Sequence, residues 1–290
     1  QAGTSARIEN YLGFPHGVSG VDLARRASAQ AKRLGAEILT AQEATRVRVE
    51  DPYRFVTLGD GTELSCHALI LATGMTVRKP DVQGIDALVG ASVFYGAAIT
   101  EAKNYQGGNV FVIGGANSAG QGAVFLSSYA RQVNLLVRSE SLEKNMSHYL
   151  VDQINKTPNI KVMVQTEVTA LVGTDRLEAI TMQHRDNGKS ETVSADAMFV
   201  FIGAVPHTEI VSDVVERSKE GFIFTGPNLI HNGRRPKNWR LKRDPYLMET
   251  SVPGIFAAGD VRHGVVRRVA SAVGQGAVAV SLIHEYLESV

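Results

Sequence analysis

Apolar positions along the chain keep two rhythms, a stripe every three or four residues and short runs that alternate or stay wholly apolar. The first rhythm covers residues 19–34 and predicts a helix with Ser19 as its N-cap. The second predicts β segments at 45–49, 55–58 and 68–72, with Asp60-Gly61 as a hairpin turn between two of them. From about residue 93 to 205 an apolar strand runs through a small-residue turn into an Ala-rich helix, and a second strand at 133–137 completes a βαβ unit. A helix near 146–156 and strands near 161–164, 167–172, 177–183 and 197–202 follow. Beyond Pro206 comes a charged middle, a strand and tight turn at 252–260, and a helix marked by Val269, Val273, Ala277 and Val280. The alternation predicts an α/β protein in three blocks, 1–92, 93–205 and 206–290.

The turn in the middle block carries the chemistry. Gly114, Gly115, Ala116, Asn117, Ser118 and Ala119 follow the strand ending at Ile113. Set against G-x-G-x-x-G/A, the chain supplies Gly114, Ala116 and Ala119, so an alanine that crowds the phosphate stands for the middle glycine. Such a turn brings backbone close to a pyrophosphate, and the first N–H groups of the helix, at its positive dipole end, meet the anion. A second match, Gly274-Gln275-Gly276-Ala277-Val278-Ala279, has no strand before it and lies in the helical stripe. Its glycines read as close-packing sites within a helix. At the end of the second strand, Arg138 can pair with the 2′-phosphate of NADP, while nearby Glu140 suits the ribose hydroxyl of NAD and a solvated loop charge is the plainer reading. Gly259 and Asp260 leave two readings open, a hydroxyl acceptor beside a closely approached ligand or a helix-capping loop.

Composition narrows the field. With 290 residues, 44% hydrophobic and 20% charged, the chain suits a globular protein of one or two domains. Thirty basic and 29 acidic residues leave +1, which favours neither nucleic acid nor an acidic membrane. The basic stretch 234–243 interleaves Trp239 with cations, but Asp244 and Glu249 beside it make it read as a solvated hairpin. No run of 18 apolar residues occurs and the start carries no signal-peptide pattern, so no membrane partner and a cytoplasmic location are expected. Cys66, the single cysteine, excludes an intrachain disulfide and reads as an inert thiol. The eight histidines show no metal-ligand spacing, no G-x-S-x-G elbow is present, and His263 reads as a surface imidazole.

Four motifs in order, Ile8-Glu9-Asn10-Tyr11-Leu12-Gly13-Phe14-Pro15, Leu69-Ile70-Leu71-Ala72-Thr73-Gly74, the Gly114 turn, and residues 250–261 from Thr250 to Val261, resemble the thioredoxin-reductase-like flavoproteins, the class II pyridine nucleotide-disulfide oxidoreductases. The resemblance covers nearly the whole chain. It implies two Rossmann-like nucleotide-binding domains, with an NAD(P)H-binding domain at 93–205 inserted into an FAD-binding domain formed by 1–92 and 206–290. It also implies FAD and NADPH as cofactors and a homodimer. By the same resemblance Asn10, Thr73, Gly74, Gly259, Asp260, Arg267, Arg268 and Val269 belong to the FAD side. Arg138 matches the first arginine of the family's NADPH motif, and Ser139 replaces the second.

Two departures stand out. The family's redox-active Cys-x-x-Cys falls on Ala97-Ala98-Ile99-Thr100, so Ala97 and Thr100 take the cysteine positions and the thiolate that disulfide reduction requires is missing. The family's first βαβ unit, with its own glycine turn for FAD, precedes the point matched by Gln1, so the sequence reads as a fragment whose grip on FAD lacks that turn and whose covered face is left open. The expected activity is hydride transfer from NADPH to FAD and on to an unknown external acceptor. The alternative is a non-catalytic NADP(H)/FAD-binding sensor or interaction module. Chain crossings near 91–95 and 203–206 are expected to act as a hinge.

Overall fold

A computed structural model describes residues 3, 5, 8, 10–96 and 99–289. Its first helix, α1 (Gly20–Arg33), starts where extended Ser19 accepts the Asp22 N–H on Oγ at 3.1 Å. Asp22 in the first turn and Lys32 and Arg33 in the last complement the helix dipole. Strands β1 (Ala44–Glu50), β2 (Tyr53–Leu58) and β3 (Glu63–Cys66) form an antiparallel meander in that order. Asp60 Oδ1 accepts the Thr62 N–H at 2.9 Å and Gly61 sits at φ +86°, the geometry of the turn expected there. Strands β4 (Leu69–Leu71) and β5 (Met75–Val77) then lead the chain onward.

The next stretch holds α2 (Ile85–Leu88), β6 (Val93–Tyr95), α3 (Ile99–Asn104), β7 (Asn109–Ile113), α4 (Asn117–Ser127), β8 (Gln132–Leu136), α5 (His148–Asn155) and β9 (Ile160–Met163). After them come β10 (Thr166–Val172), β11 (Ala179–His184), β12 (Ser190–Ser194) and β13 (Ala197–Val200). Five strands pair in parallel in the order β6-β13-β7-β8-β9, while β10, β11 and β12 form an antiparallel meander. Strand alternation sorts the core into two layers. Val110, Val112, Val133 and Leu135 join Leu126 of α4 and Ile154 of α5, whereas Phe111, Ile113 and Leu136 join Val168, Ile180 and Met182 of the meander. These side chains are nearly all buried to within 1% exposure, and each contributes about 1.5–3 kcal/mol of burial free energy.

The chain returns through β14 (Ala204–Pro206), then β15 (Ile255–Ala257) and α6 (Val269–Glu288). β15 lies parallel to β4, and Leu71, Ile255, Ala257 and Val261 share a core with Val47 of the first meander. Two compact units result, residues 1–76 with 204–290 and residues 77–203. Val82, Ile85 and Leu88 pack into the second layer of the parallel sheet, so residues 77–92 lie with the middle unit, whereas the hydrophobic pattern puts the first crossing at 92–93.

Candidate functional site

In the middle unit, β7 and β8 pair in register from Asn109↔Gln132 to Ile113↔Leu136, so the Gly114 turn and Arg138 leave the same edge of the sheet. Gly114 sits at φ +147°, and a Cβ there would stand 2.5 Å from Phe201 O and 2.9 Å from the Ala119 Cβ. Only glycine satisfies both conditions. At Gly115 a Cβ would meet Val137 Cγ1 at 2.8 Å. Ala116, extended at φ −108° and ψ 178°, is the N-cap of α4 and offers no side-chain cap. Its carbonyl accepts the N–H groups of Ala119 and Gly120 at 3.0 and 3.2 Å. The N–H groups at the helix start are therefore uncapped by side chains, on exposed residues Ala116, Asn117 and Ser118, as an anion site requires.

Asn117 does a second job. Its Oδ1 accepts the Ser147 N–H at 2.8 Å and the Ser147 hydroxyl at 3.0 Å, tying the start of α4 to the N-cap of α5. A ligand at the turn therefore meets the Asn117 backbone with its side chain already engaged. Arg138 and Glu140 are both exposed, and the Ser139 hydroxyl between them donates to Ser141 O at 2.7 Å.

The other unit carries a second strand-end site. Because β15 and β4 run parallel, residues 72–74 and 258–260 leave one edge, joined by the Ala258 N–H to Leu71 O at 3.0 Å. The Thr73 hydroxyl donates to His207 O at 2.6 Å, and Gly74, at φ +70°, accepts the His207 N–H. The Gly259 N–H donates to Gln275 Oε1 at 2.8 Å. Asp260 is half-buried, and no group among the described residues hydrogen-bonds its carboxylate. Burial pushes its pKa up, and the charge of Arg267 pulls it partly back. A half-buried carboxylate in that state suits a hydroxyl-bearing ligand, which would supply the missing donors. Arg267 is exposed, with its guanidinium 4.9 Å from the Phe222 ring centroid; Arg268 is the N-cap of α6 without a side-chain cap, and Val269 opens the helix. Asn10 is exposed.

The glycines of α6 correct the sequence reading. Gly274 and Gly276 face open space rather than a close neighbour, and Val273, Val278 and Val280 are 54%, 41% and 49% exposed. Only Ala279 and Tyr286 of this helix are fully buried among its described residues, against Met248 and Phe256, so its core contact is narrow. Sequence periodicity identified the helix but not which of its faces is covered. Ala97 lies outside the described residues, and Thr100 falls in α3. The Cys66 thiol is half-buried, donates to Arg54 O at 3.5 Å, and has its pKa raised by burial, which disfavours the reactive thiolate. In the basic stretch, Arg243 pairs with fully buried Glu249 at 2.6 and 3.1 Å and lies 3.7 Å from the Tyr246 ring centroid, while Arg235 pairs with Asp244 at 2.5 Å. Arg243 is thus engaged by a buried carboxylate and Arg235 by an exposed one. Among the described residues no helix is long and apolar enough to cross a membrane, and no group of three or more His, Cys, Asp or Glu is placed to hold a metal.

Comparison with known proteins agrees with this architecture. A family model described as pyridine nucleotide-disulphide oxidoreductase matches residues 2–276. A 34.2 kDa protein in the rubredoxin operon of Clostridium pasteurianum is 30% identical over 280 residues, 97% of this chain and 83% of that protein. The NADPH-dependent thioredoxin reductase 3 of Arabidopsis thaliana is 29% identical over 289 residues, 99% of this chain and 50% of the relative. Among solved structures, thioredoxin reductase from Streptococcus pyogenes MGAS5005 superposes with a TM-score of 0.85 at 25% identity, covering 100% of this chain and 87% of the other. The Giardia duodenalis thioredoxin reductase gives 0.86 at 24% identity, covering 99% and 87%, a likeness of fold.

Proposed function

The chain belongs to the pyridine nucleotide-disulphide oxidoreductase family, a flavin-dependent family whose thioredoxin reductases use FAD and NADPH, and we propose that it is an NADPH oxidoreductase passing electrons to an acceptor outside the chain. The observation that carries this reading is the Gly114 turn, where a glycine fitted to Phe201 and Ala119 opens onto an uncapped helix start. Bound together, NADPH and FAD supply hydride chemistry that no side chain here provides. In this reading residues 93–205 hold the pyridine nucleotide. The N–H groups at the start of α4, on Asn117 and Ser118, meet the pyrophosphate, and Arg138 meets a 2′-phosphate. Asp260 accepts hydroxyl hydrogen bonds from FAD, Gly259 keeps the backbone close, and Thr73, Gly74, Asn10, Arg267, Arg268 and Val269 border the flavin. The protein's work is to hold two rings in productive order and to keep them from solvent.

With Cys66 as the sole thiol, its pKa raised by burial, the electrons leave without an internal dithiol. A cytoplasmic homodimer completes the reading, on the family resemblance. The test is an anaerobic titration of the FAD-loaded protein with NADPH, followed by oxygen, quinone, ferredoxin, rubredoxin or thioredoxin. Bleaching of the flavin band, and its return with one of these acceptors, is the expected result. A flavin that stays oxidised while NADPH binds would transfer the case to a nucleotide sensor.

A further inference from the structure

Between Thr225 and β15, residues 226–254 form no strand or α-helix. A loop longer than about 12–15 residues without secondary structure is uncommon in a compact unit, and as a rule it is either functional or disordered. This one is held in shape by its own bonds. The Gly226 N–H closes its neck on Glu249 O at 2.9 Å. His231 and Arg234 exchange backbone hydrogen bonds at 3.0 Å, the Trp239 N–H donates to Pro236 O at 3.0 Å, and the Trp239 indole donates to Arg243 O at 2.7 Å. Arg243 pairs in turn with buried Glu249, whose Oε2 and Oε1 also accept the Tyr246 and Gly254 N–H groups at 2.9 and 3.1 Å.

The charge of this loop is lopsided. From Pro227 to Arg243 it holds six cations and no carboxylate, in a chain whose formal charge is +1. Arg235 and Arg243 have the partners already described. Arg234, Lys237, Arg240 and Lys242 are exposed and make no ion pair among the described residues. Like charges fixed on one frame repel one another, and a face without a task intersperses both signs. An acidic surface laid on the loop relieves that repulsion. The apolar residues among the cations, Pro236, Trp239 and Leu241, are buried or half-buried, so the loop offers no open aromatic face to a base and no apolar side chain to a bilayer. Its base is tied to the Asp260 end of β15. Arg262, 9% exposed, donates from Nε and Nη2 to Thr225 Oγ1 at 2.9 and 2.7 Å and from Nη2 to Leu247 O at 3.5 Å.

We propose that this loop is the docking surface for a small acidic electron-carrier protein. Its cations set the carrier beside the strand end that bears Asp260, and the proposal rests on the outward electron transfer argued above. Each NADPH gives up two electrons, so two one-electron carriers are reduced in turn, NADP⁺ forms and one proton is released to water.

The test uses the FAD-loaded full chain, with an acidic plastocyanin as the probe and a basic cytochrome c as the control of opposite charge. Plastocyanin should bind the chain and be reduced in preference to cytochrome c. Replacing two exposed cations together, Lys237→Glu with Arg240→Glu, should weaken plastocyanin binding and lower its kcat/KM about tenfold or more, while NADPH-driven reduction of a small quinone stays unchanged. Raising the salt from about 50 to about 200 mM should do the same to the parent and little to the variant. Should the double variant fail to fold, Lys237→Gln should give a smaller loss in the same direction. No binding of plastocyanin, equal affinity of parent and variant for it, or preference for cytochrome c would each overturn the proposal. So would an oligothymidylate that binds more tightly than plastocyanin and is lost in the variant, which would make the loop a nucleic-acid face. A chain that reduces quinone but fails these tests loses the docking surface and keeps its oxidoreductase reading. One that binds plastocyanin through the loop and leaves quinone oxidised keeps the surface and loses that reading.

Discussion

Two strand-to-helix passages in this molecule, β7 to α4 and β15 to α6, are rich in small residues, but for opposite reasons. Around Gly114 every missing side chain is demanded by the fold: carbonyl and methyl groups of Phe201, Ala119 and Val137 would collide with a Cβ at Gly114 or Gly115. In α6, which follows Gly259 and Asp260, Gly274 and Gly276 meet nothing, and each costs the helix about 1 kcal/mol against alanine without a packing return among the described residues. The first passage is a cradle finished by its own neighbours. The second is smooth and apolar on a face that its unit leaves open. The same spacing of small residues, Gly114-Ala116-Ala119 and Gly274-Gly276-Ala279, can thus mark a tight interior or a cleared exterior, and only the third dimension separates them.

Gly114→Val is the harshest way to probe the contrast. A β-branched side chain at φ +147°, pressed on Phe201 O, should destabilise the chain by roughly 2–6 kcal/mol in urea unfolding and abolish NADPH binding. Less drastic is Arg138→Ala, which should weaken NADPH about tenfold, leave NADH unaltered and keep the unfolding midpoint, as measured by nucleotide titration; equal losses for both nucleotides would remove Arg138 from the 2′-phosphate. Gly276→Ala should go the other way from Gly114. With open space around it, the added methyl raises the stability of the cofactor-free chain by about 1 kcal/mol in a thermal melt. A fall in stability would mean that the helix packs there after all.

The smallest effect is electrostatic. Burial raises the Asp260 pKa in the fold, so its protonated form favours folding, a contribution present in acid and lost as pH rises through the raised folded value. Above that window the charged carboxylate opposes folding. Asp260→Asn should therefore melt slightly higher than the parent at neutral pH in the cofactor-free state, with the gap closing as pH falls below the ordinary carboxyl range. Its flavin affinity should drop.

Much of this was legible beforehand because local chemistry and packing agree. The Ser19 cap, the Asp60-Gly61 turn and the βαβ unit from β7 to β8 sit within a residue or so of the places their patterns indicate. Strand β12 escaped, since Ser190–Ser194 is short, polar and mostly exposed, and owes its form to pairing with β11. The crossing near residue 76 escaped for a different reason. Val82, Ile85 and Leu88 are scattered apolar residues whose destination, the sheet of the middle unit, is set by tertiary packing. For the site, the glycine turn and the residues around Asp260 were visible as motifs. That Asn117 is tied to Ser147 depends on a contact between residues 30 positions apart that no spacing rule announces.

The hydrogen bond from the Gly259 N–H to Gln275 Oε1 has a mechanical reach. Gln275 stands between Gly274 and Gly276 in sequence, and its side chain spans from α6 to the backbone one residue before Asp260. Replacing Gln275 with an apolar residue therefore strips the Gly259 N–H of its partner while leaving the Asp260 side chain in place.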